Sequence, residues 1–104
     1  MTQKEQIIFE IENTPIILYM KGTKDRPMCG FSAWVINILN QHSVVFQDVN
    51  ILEDPDIRVN LSEHSDWPTI PQLFVKGKLI GGCDIVMGLE SKRELGDVLQ
   101  TTGT

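Results

Sequence analysis

Cys29 is the residue of this sequence best placed to do chemistry, because it joins a nucleophilic side chain to a predicted helix start. It follows an apolar run and a polar loop, and a stretch of helical periodicity comes directly after it. The N–H groups of a first helical turn have no helical partners, and the helix dipole favours negative charge there by about 0.3 to 1 kcal/mol. Lys21, at the end of the apolar run, adds a positive charge that lowers a thiol pKa. We predict a thiolate nucleophile at Cys29; the alternative is a small apolar residue of the helix start.

The position three residues after Cys29 is occupied by Ser32, so the run Cys-Gly-Phe-Ser holds no second thiol. A local disulfide of the Cys-x-x-Cys type is therefore excluded. Two roles stay open for Ser32, a hydrogen bond to the sulfur or a cap on the helix. The other cysteine, Cys83, is far along the chain, and without a secretory signal two such cysteines favour reactive or metal-binding thiols over a structural bridge.

Two further segments offer backbone groups that could bind a ligand, and two cations could add charge beside them. Residues 67–71 (Trp-Pro-Thr-Ile-Pro) precede a predicted hairpin, where a cis Ile70–Pro71 bond would set a backbone edge at the end of the sheet. We expect that cis bond, but a plain turn stays open at this point because only about 5 to 6% of X-Pro bonds are cis. Residues 81–84 (Gly-Gly-Cys-Asp) lead from a strand into a helix and form either an anion seat or an ordinary turn with an N-cap. Arg58 and Lys21 are cations that face the same cleft or solvent.

The elements that must position these residues are those of a mixed α/β sheet. Residues 16–20 form a continuous apolar run, which predicts a central strand buried on both faces, and residues 44–49 predict a second strand parallel to it. Residues 72–75 and 78–80 flank a Lys-Gly turn and predict an antiparallel hairpin. Helices are predicted before Pro15, from Phe31 to Leu39 with an apolar stripe, after the N-cap Asp54, from Asp84 to about Glu90, and from a capping box at Ser91 to about Gln100.

Composition limits the classes of function. The 104 residues are 41% hydrophobic and 22% charged, which fits one domain over residues 1–104. The net charge of -5 opposes the phosphate neutralisation that nucleic-acid binding needs. No apolar run reaches the roughly 18 residues of a membrane span, and the first residues have the features of neither a signal peptide nor a transit peptide. We expect a cytoplasmic protein with no nucleic-acid or membrane partner, in which His42 and His64 are surface residues.

Four motifs in register resemble those of the monothiol glutaredoxins of the Cys-Gly-Phe-Ser class: residues 21–23, 29–32, 67–72 and 81–84. The resemblance extends from Ile16 to about Leu99, and the long loop from Gly22 to Met28 matches this class rather than the dithiol glutaredoxins. It implies a thioredoxin fold, with a four-stranded mixed sheet flanked by helices and a cis Pro71.

The resemblance also implies a glutathione site. Lys21 and Arg58 match the cations that hold the glycine carboxylate of the tripeptide, and the backbone of Ile70 matches the edge that pairs with its cysteine. Cys83 and Asp84, after Gly82, match the pair whose backbone N–H groups take the γ-glutamyl carboxylate while the Asp84 side chain takes the amine. Phe31 and Trp67 would line the site beside Pro71.

The function implied by the resemblance is to carry and transfer a 2Fe-2S cluster with glutathione in iron–sulfur assembly. Such a cluster usually needs four thiolates, so two chains would each supply Cys29 and one bound glutathione in a symmetric homodimer. A rival count takes Cys29 and Cys83 from both chains. Two other functions stay open: glutathione-dependent reduction of mixed disulfides, and regulation in complex with a BolA-like partner.

Overall fold

The computed structural model describes residues 1–100, which contain one four-stranded mixed sheet. The strands are β1 (Ile16–Met20), β2 (Gln47–Asn50), β3 (Gln72–Val75) and β4 (Lys78–Gly81). β1 pairs parallel with β2 and antiparallel with β3, and β3 pairs antiparallel with β4, which gives the order β2-β1-β3-β4. The mixed sheet and the buried central strand predicted from the sequence are confirmed.

Helices cover both faces of the sheet. They are α1 (Gln3–Asn13), α2 (Gly30–Gln41), α3 (Pro55–Ser65), α4 (Cys83–Ser91) and α5 (Leu95–Leu99), with a 3-10 turn at Ile51–Glu53. Alternate residues of β1 point to opposite faces, so Ile17 and Tyr19 pack against α1 and α3, while Leu18 packs against α2, α4 and α5. The two cores fix the strands, and the site described below lies at the carboxyl ends of β1 and β4 and at the amino end of β3.

Local signals explain where the first and third helices begin. Thr2 Oγ1 accepts a hydrogen bond from Glu5 N at 3.2 Å, and Glu5 Oε1 accepts from Thr2 N at 2.8 Å, which completes a capping box at α1. Asp54 Oδ1 accepts from Asp56 N at 3.0 Å, and Pro55 occupies the first helical position, as predicted for α3.

The predicted start of the second strand is wrong, because β2 begins at Gln47 and not at Val44. The preceding residues form a connection in which Ser43 has φ 56°, and Val45 is 93% exposed. Phe46 O accepts from Lys24 Nζ at 3.1 Å, outside the named strand pairing. Within residues 44–46, which were predicted as strand, Phe46 is buried and its ring lies beneath Lys24 Nζ.

The capping box predicted at Ser91 is also wrong. Ser91 ends α4, Arg93 has φ 60°, and Glu94 N donates to Leu89 O at 2.8 Å, so these residues close one helix rather than open the next. α5 starts at Leu95, and no side chain of residues 1–100 caps it.

Two histidines were expected at the surface, and they differ. His64 is exposed, whereas His42 is partly buried, with its Nε2 2.8 Å from Glu90 Oε1. Within residues 1–100 no helix is long and apolar enough to cross a bilayer. The single domain over residues 1–104 stays a prediction, because residues 101–104 lie outside the described part of the chain.

Candidate functional site

All the predicted site residues line one cleft of about 370 Å³ at the carboxyl end of β1. Its walls come from the end of β1, the start of α2, residue 58 of α3, the segment 67–71 and the start of α4. The lining consists of Lys21, Cys29, Phe31, Arg58, Trp67, Thr69, Ile70, Pro71, Gly82, Cys83, Asp84 and Ile85. A larger hollow of about 730 Å³ lies at the opposite end of β1, but no cysteine lines it. The chemistry therefore belongs to the smaller cleft.

Cys29 occupies the N-cap of α2 with an extended backbone, and its side chain is half-buried. The pKa of its thiol is lowered, above all by the backbone N–H of Ser32 and further by the N–H of Phe31, the charge of Lys21 and the Ser32 hydroxyl. Partial burial opposes this lowering. Within residues 1–100 no side-chain oxygen caps α2, so the N–H groups of the first turn are left to stabilise a negative charge on the Cys29 sulfur. The geometry favours a thiolate.

Ser32 is fully buried, and besides the interaction with the sulfur expected from the sequence its hydroxyl has a second contact. Its Oγ accepts a hydrogen bond from the backbone N–H of Lys21 at 3.3 Å. The hydroxyl therefore connects the first turn of α2 to the end of β1, while its effect on the Cys29 sulfur is the smallest of the influences given above.

Cys83 is the first residue of α4, after the N-cap Gly82. The pKa of its thiol is raised, chiefly by burial and further by the negative charges of Asp84 and of the Cys29 thiolate. A Cβ added to Gly82 would lie 3.1 Å from Pro71 O, which is tighter than ordinary packing, so the absence of a side chain lets the two walls approach. Among residues 1–100 no side chain caps α4, so its first N–H groups remain available to a ligand.

Lys21 and Arg58 bring positive charge to the cleft. Arg58 is exposed, and its Nη2 donates to Pro68 O at 3.3 Å, whereas Lys21 is half-buried. The ion pairs found among residues 1–100 involve neither of them. Both charges are therefore available to an anionic ligand.

The segment before β3 contains a cis Ile70–Pro71 peptide bond, so the predicted cis form is confirmed. Phe31, which was expected both in the apolar stripe of α2 and in the site, is 62% exposed and lines the cleft. Sequence reasoning assigned no role to Thr69 or Ile85, which also line the cleft. Ile85 follows the Gly-Gly-Cys-Asp run by one residue, so the helical turn that begins there was the available signal.

Comparison with known proteins decides the family. The glutaredoxin family profile matches residues 16–80, more than half of the chain. The chain belongs to the glutaredoxin family. It is 48% identical to a protein of Rickettsia felis named "Probable monothiol glutaredoxin 2", over 96% of this chain and 99% of that protein. The monothiol class expected from the Cys-Gly-Phe-Ser motif is confirmed.

Solved glutaredoxins have the same fold. The solution structure of a monomeric truncated mutant of Trypanosoma brucei 1-C-Grx1 superposes with a TM-score of 0.86, at 32% identity, over 99% of this chain and 94% of that one. A buckwheat glutaredoxin–glutathione complex gives a TM-score of 0.81 at 24% identity, over 92% and 86% of the two chains. The predicted thioredoxin fold is confirmed.

The arrangement in this glutaredoxin suits two kinds of sulfur chemistry. A thiolate at Cys29 can attack a disulfide sulfur or bind a soft metal. Within residues 1–100 no three metal-ligating side chains come together.

Proposed function

We propose that this monothiol glutaredoxin binds glutathione and carries and transfers a 2Fe-2S cluster in iron–sulfur assembly. The observation that carries the proposal is the convergence of every residue assigned to glutathione on the cleft that contains Cys29. The buckwheat glutaredoxin, which has the same fold, was solved in complex with glutathione.

The charges of the cleft complement those of the tripeptide. Glutathione carries a carboxylate at its glycine end and both a carboxylate and an ammonium at its γ-glutamyl end. Lys21 and Arg58 supply cations for the first, while the start of α4 supplies free N–H groups for the second carboxylate and Asp84 a negative charge for the ammonium. A bound glutathione would hold its thiol near Cys29, since both ends of the molecule are fixed on the walls of the same cleft.

The ligand count supports sharing the cluster between two chains. A 2Fe-2S cluster is usually held by four thiolates. One chain offers a single cysteine with a lowered pKa, and the pKa of Cys83 is raised. Two copies of Cys29 and two bound glutathione thiolates complete the set in a symmetric homodimer. The rival set, with Cys83 in place of glutathione, requires the thiol that is harder to ionise.

Purification under anaerobic conditions with glutathione tests the proposal. A brown protein with sulfur-to-iron charge-transfer absorption, and a shift from monomer to dimer on loading, supports a cluster carrier. A colourless protein that binds no iron under these conditions, while its Cys29→Ser variant behaves identically, contradicts it. Transfer is then tested by mixing loaded protein with an apo ferredoxin and following the appearance of the ferredoxin spectrum.

The lowered pKa of Cys29 also favours a second candidate, glutathione-dependent reduction of mixed disulfides. The Cys29 thiolate would attack the glutathione sulfur of a glutathionylated protein, break that disulfide and release the protein thiolate. The thiolate of a second glutathione would then attack the mixed disulfide on Cys29, releasing oxidised glutathione and restoring the Cys29 thiolate. Rapid turnover by a protein that binds no cluster would favour this candidate.

Regulation in complex with a BolA-like partner is a third candidate function, and we propose a cytoplasmic location for all three. The two free thiols suit a reducing compartment. Size-exclusion chromatography of the loaded protein with a BolA-like protein tests the partner, since a mixed complex would elute in place of the homodimer.

A further inference from the structure

Gln72 is a fully buried polar side chain to which the proposed function gives no role. It stands at the first position of β3, and Ser32 is the other polar side chain buried to this degree within residues 1–100. Burying an amide costs free energy unless its polar groups are paired. The hydrogen bonds of Gln72 therefore indicate its purpose.

The amide of Gln72 holds two carbonyls of the segment 67–71. Its Nε2 donates to Trp67 O at 2.9 Å and to Thr69 O at 3.1 Å. These two acceptors fix the orientation of the amide, because a reversed amide would place oxygen against oxygen. Gln72 Oε1 has no hydrogen-bond partner among the described residues, so the donors alone connect the side chain to its surroundings.

The carbonyl between these two has a different partner. Pro68 O accepts a hydrogen bond from Arg58 Nη2 at 3.3 Å. Of three successive carbonyls, the first and the third therefore bind the buried amide of Gln72, and the second binds the Arg58 guanidinium at the cleft. Holding the two outer carbonyls leaves the central one free for the Arg58 guanidinium.

The segment is also close to the other wall of the cleft. A Cβ on Gly82 would lie 3.1 Å from Pro71 O and 3.3 Å from Trp67 Nε1, so there is little free space between segment and α4. The Cα of Gln72 is paired with Tyr19 in the central strand. Its side chain therefore joins the rigid part of the sheet to a segment whose displacement would change the shape of the cleft.

We infer that Gln72 is a positioning residue for the ligand cleft, which acts by holding the carbonyls of Trp67 and Thr69 so that Pro68 O orients Arg58 and Ile70 presents its backbone. The inference rests on the proposed function for the identity of the ligand, glutathione. A residue with this role changes affinity through Arg58, whereas a residue that only fills the core changes stability alone.

Calorimetric titration with reduced glutathione tests the inference in Gln72→Met, which keeps a long side chain and removes both donors. The matched control is Val75→Ala at the other end of β3, a buried residue of the opposite core. At a temperature where both variants are folded, we expect roughly threefold weaker binding in Gln72→Met, less than removal of Arg58 itself should cause, because Gln72 acts through Arg58. The Val75→Ala variant should unfold at a lower temperature and bind glutathione as the wild type does.

A double-mutant cycle with Arg58→Ala identifies the route. Because Gln72 acts through Arg58, removing the guanidinium should weaken binding less in the Gln72→Met background than in the wild type. Wild-type affinity in Gln72→Met, or fully additive losses in the cycle, would overturn the inference. If Gln72→Met does not fold, Gln72→Asn, which has a shorter amide, takes its place.

Failure of the proposed function is visible separately, as a wild type that does not bind glutathione. The inference is then judged from ¹H–¹⁵N spectra without ligand. The Arg58 Nε–H and Ile70 amide signals should move in Gln72→Met and stay in place in Val75→Ala, and the side-chain amide protons of wild-type Gln72 should exchange slowly with solvent. Unmoved signals, or rapid exchange of those protons, contradict it.

Discussion

Cys29 and Cys83 line the same cleft, each at the start of a helix, yet their pKa values shift in opposite directions. Cys29 is an N-cap residue, and an N-cap side chain can approach the free N–H groups two and three positions ahead. Cys83 lies one position further in, inside α4, where burial and Asp84 disfavour its charged form. In this protein the capping position favours the thiolate, whereas one position further into a helix, burial and then a neighbouring carboxylate outweigh the N-terminus and raise the pKa of the thiol.

Cluster loading provides the largest expected contrast between the two thiols. Cys29→Ser should abolish cluster assembly, because it removes the chain's one readily ionised ligand, while Cys83→Ser should still assemble a cluster when glutathione is present. Visible absorption and iron content measure both. Loss of the cluster in Cys83→Ser, or a cluster that survives removal of glutathione, would show that the two thiols are equal as ligands.

Alkylation against pH gives the next contrast. Cys29 should react with iodoacetamide with a midpoint below the ordinary thiol pKa of about 8.5, and Cys83 with a midpoint above it. At neutral pH the thiolate fraction, and so the rate, is therefore higher for Cys29. Mass spectrometry of each cysteine after timed alkylation measures the rates, with each Cys→Ser variant as the control for the other. Equal midpoints would show that the two thiols do not differ in pKa.

The cations of the cleft should have a moderate effect on glutathione affinity. Arg58 is exposed, so Arg58→Ala should weaken binding by about 1 kcal/mol, less than a buried charged hydrogen bond would cost. Lys21→Ala should cost at least as much, since Lys21 is half-buried. Calorimetric titration measures both. A suitable control is Lys92→Ala, an exposed residue just after α4 that does not line the cleft. Unchanged affinity in both site variants would remove these residues from the site.

The smallest expected effects concern neighbouring charges. Lys21→Gln should raise the pKa of Cys29 only slightly, because the backbone N–H groups of Ser32 and Phe31 are present in the variant as well. Asp84→Asn should lower the pKa of Cys83 slightly, since burial, the larger cause, remains. The same alkylation profiles measure both shifts. A Cys29 midpoint restored to the ordinary value in Lys21→Gln would show that the lysine, and not the capping position, activates the thiol.

Much of the fold followed from local pattern. The five apolar residues of β1, the Lys-Gly turn of the hairpin and the Asp-Pro start of α3 each predict an element because one short stretch determines its own conformation. The start of β2 and the boundary between α4 and α5 were predicted wrongly. At both places the outcome depends on distant contacts or a left-handed residue, namely the bond from Lys24 to Phe46 and the conformation of Arg93.

The candidate site divides in the same way. The candidate nucleophile followed from the sequence alone, since a cysteine directly before an amphipathic helix stands at its capping position, and the motifs named the cleft residues through their family resemblance. Three features became visible only in the folded chain: Ser32 accepts a hydrogen bond from the end of β1, burial raises the pKa of Cys83, and Gln72 holds the carbonyls on either side of the one that Arg58 binds. Such hydrogen bonds depend on where the sheet and its helices place each group, and the burial that shifts a pKa comes from residues distant in the chain. Both therefore exist only after the sheet and its helices have packed together.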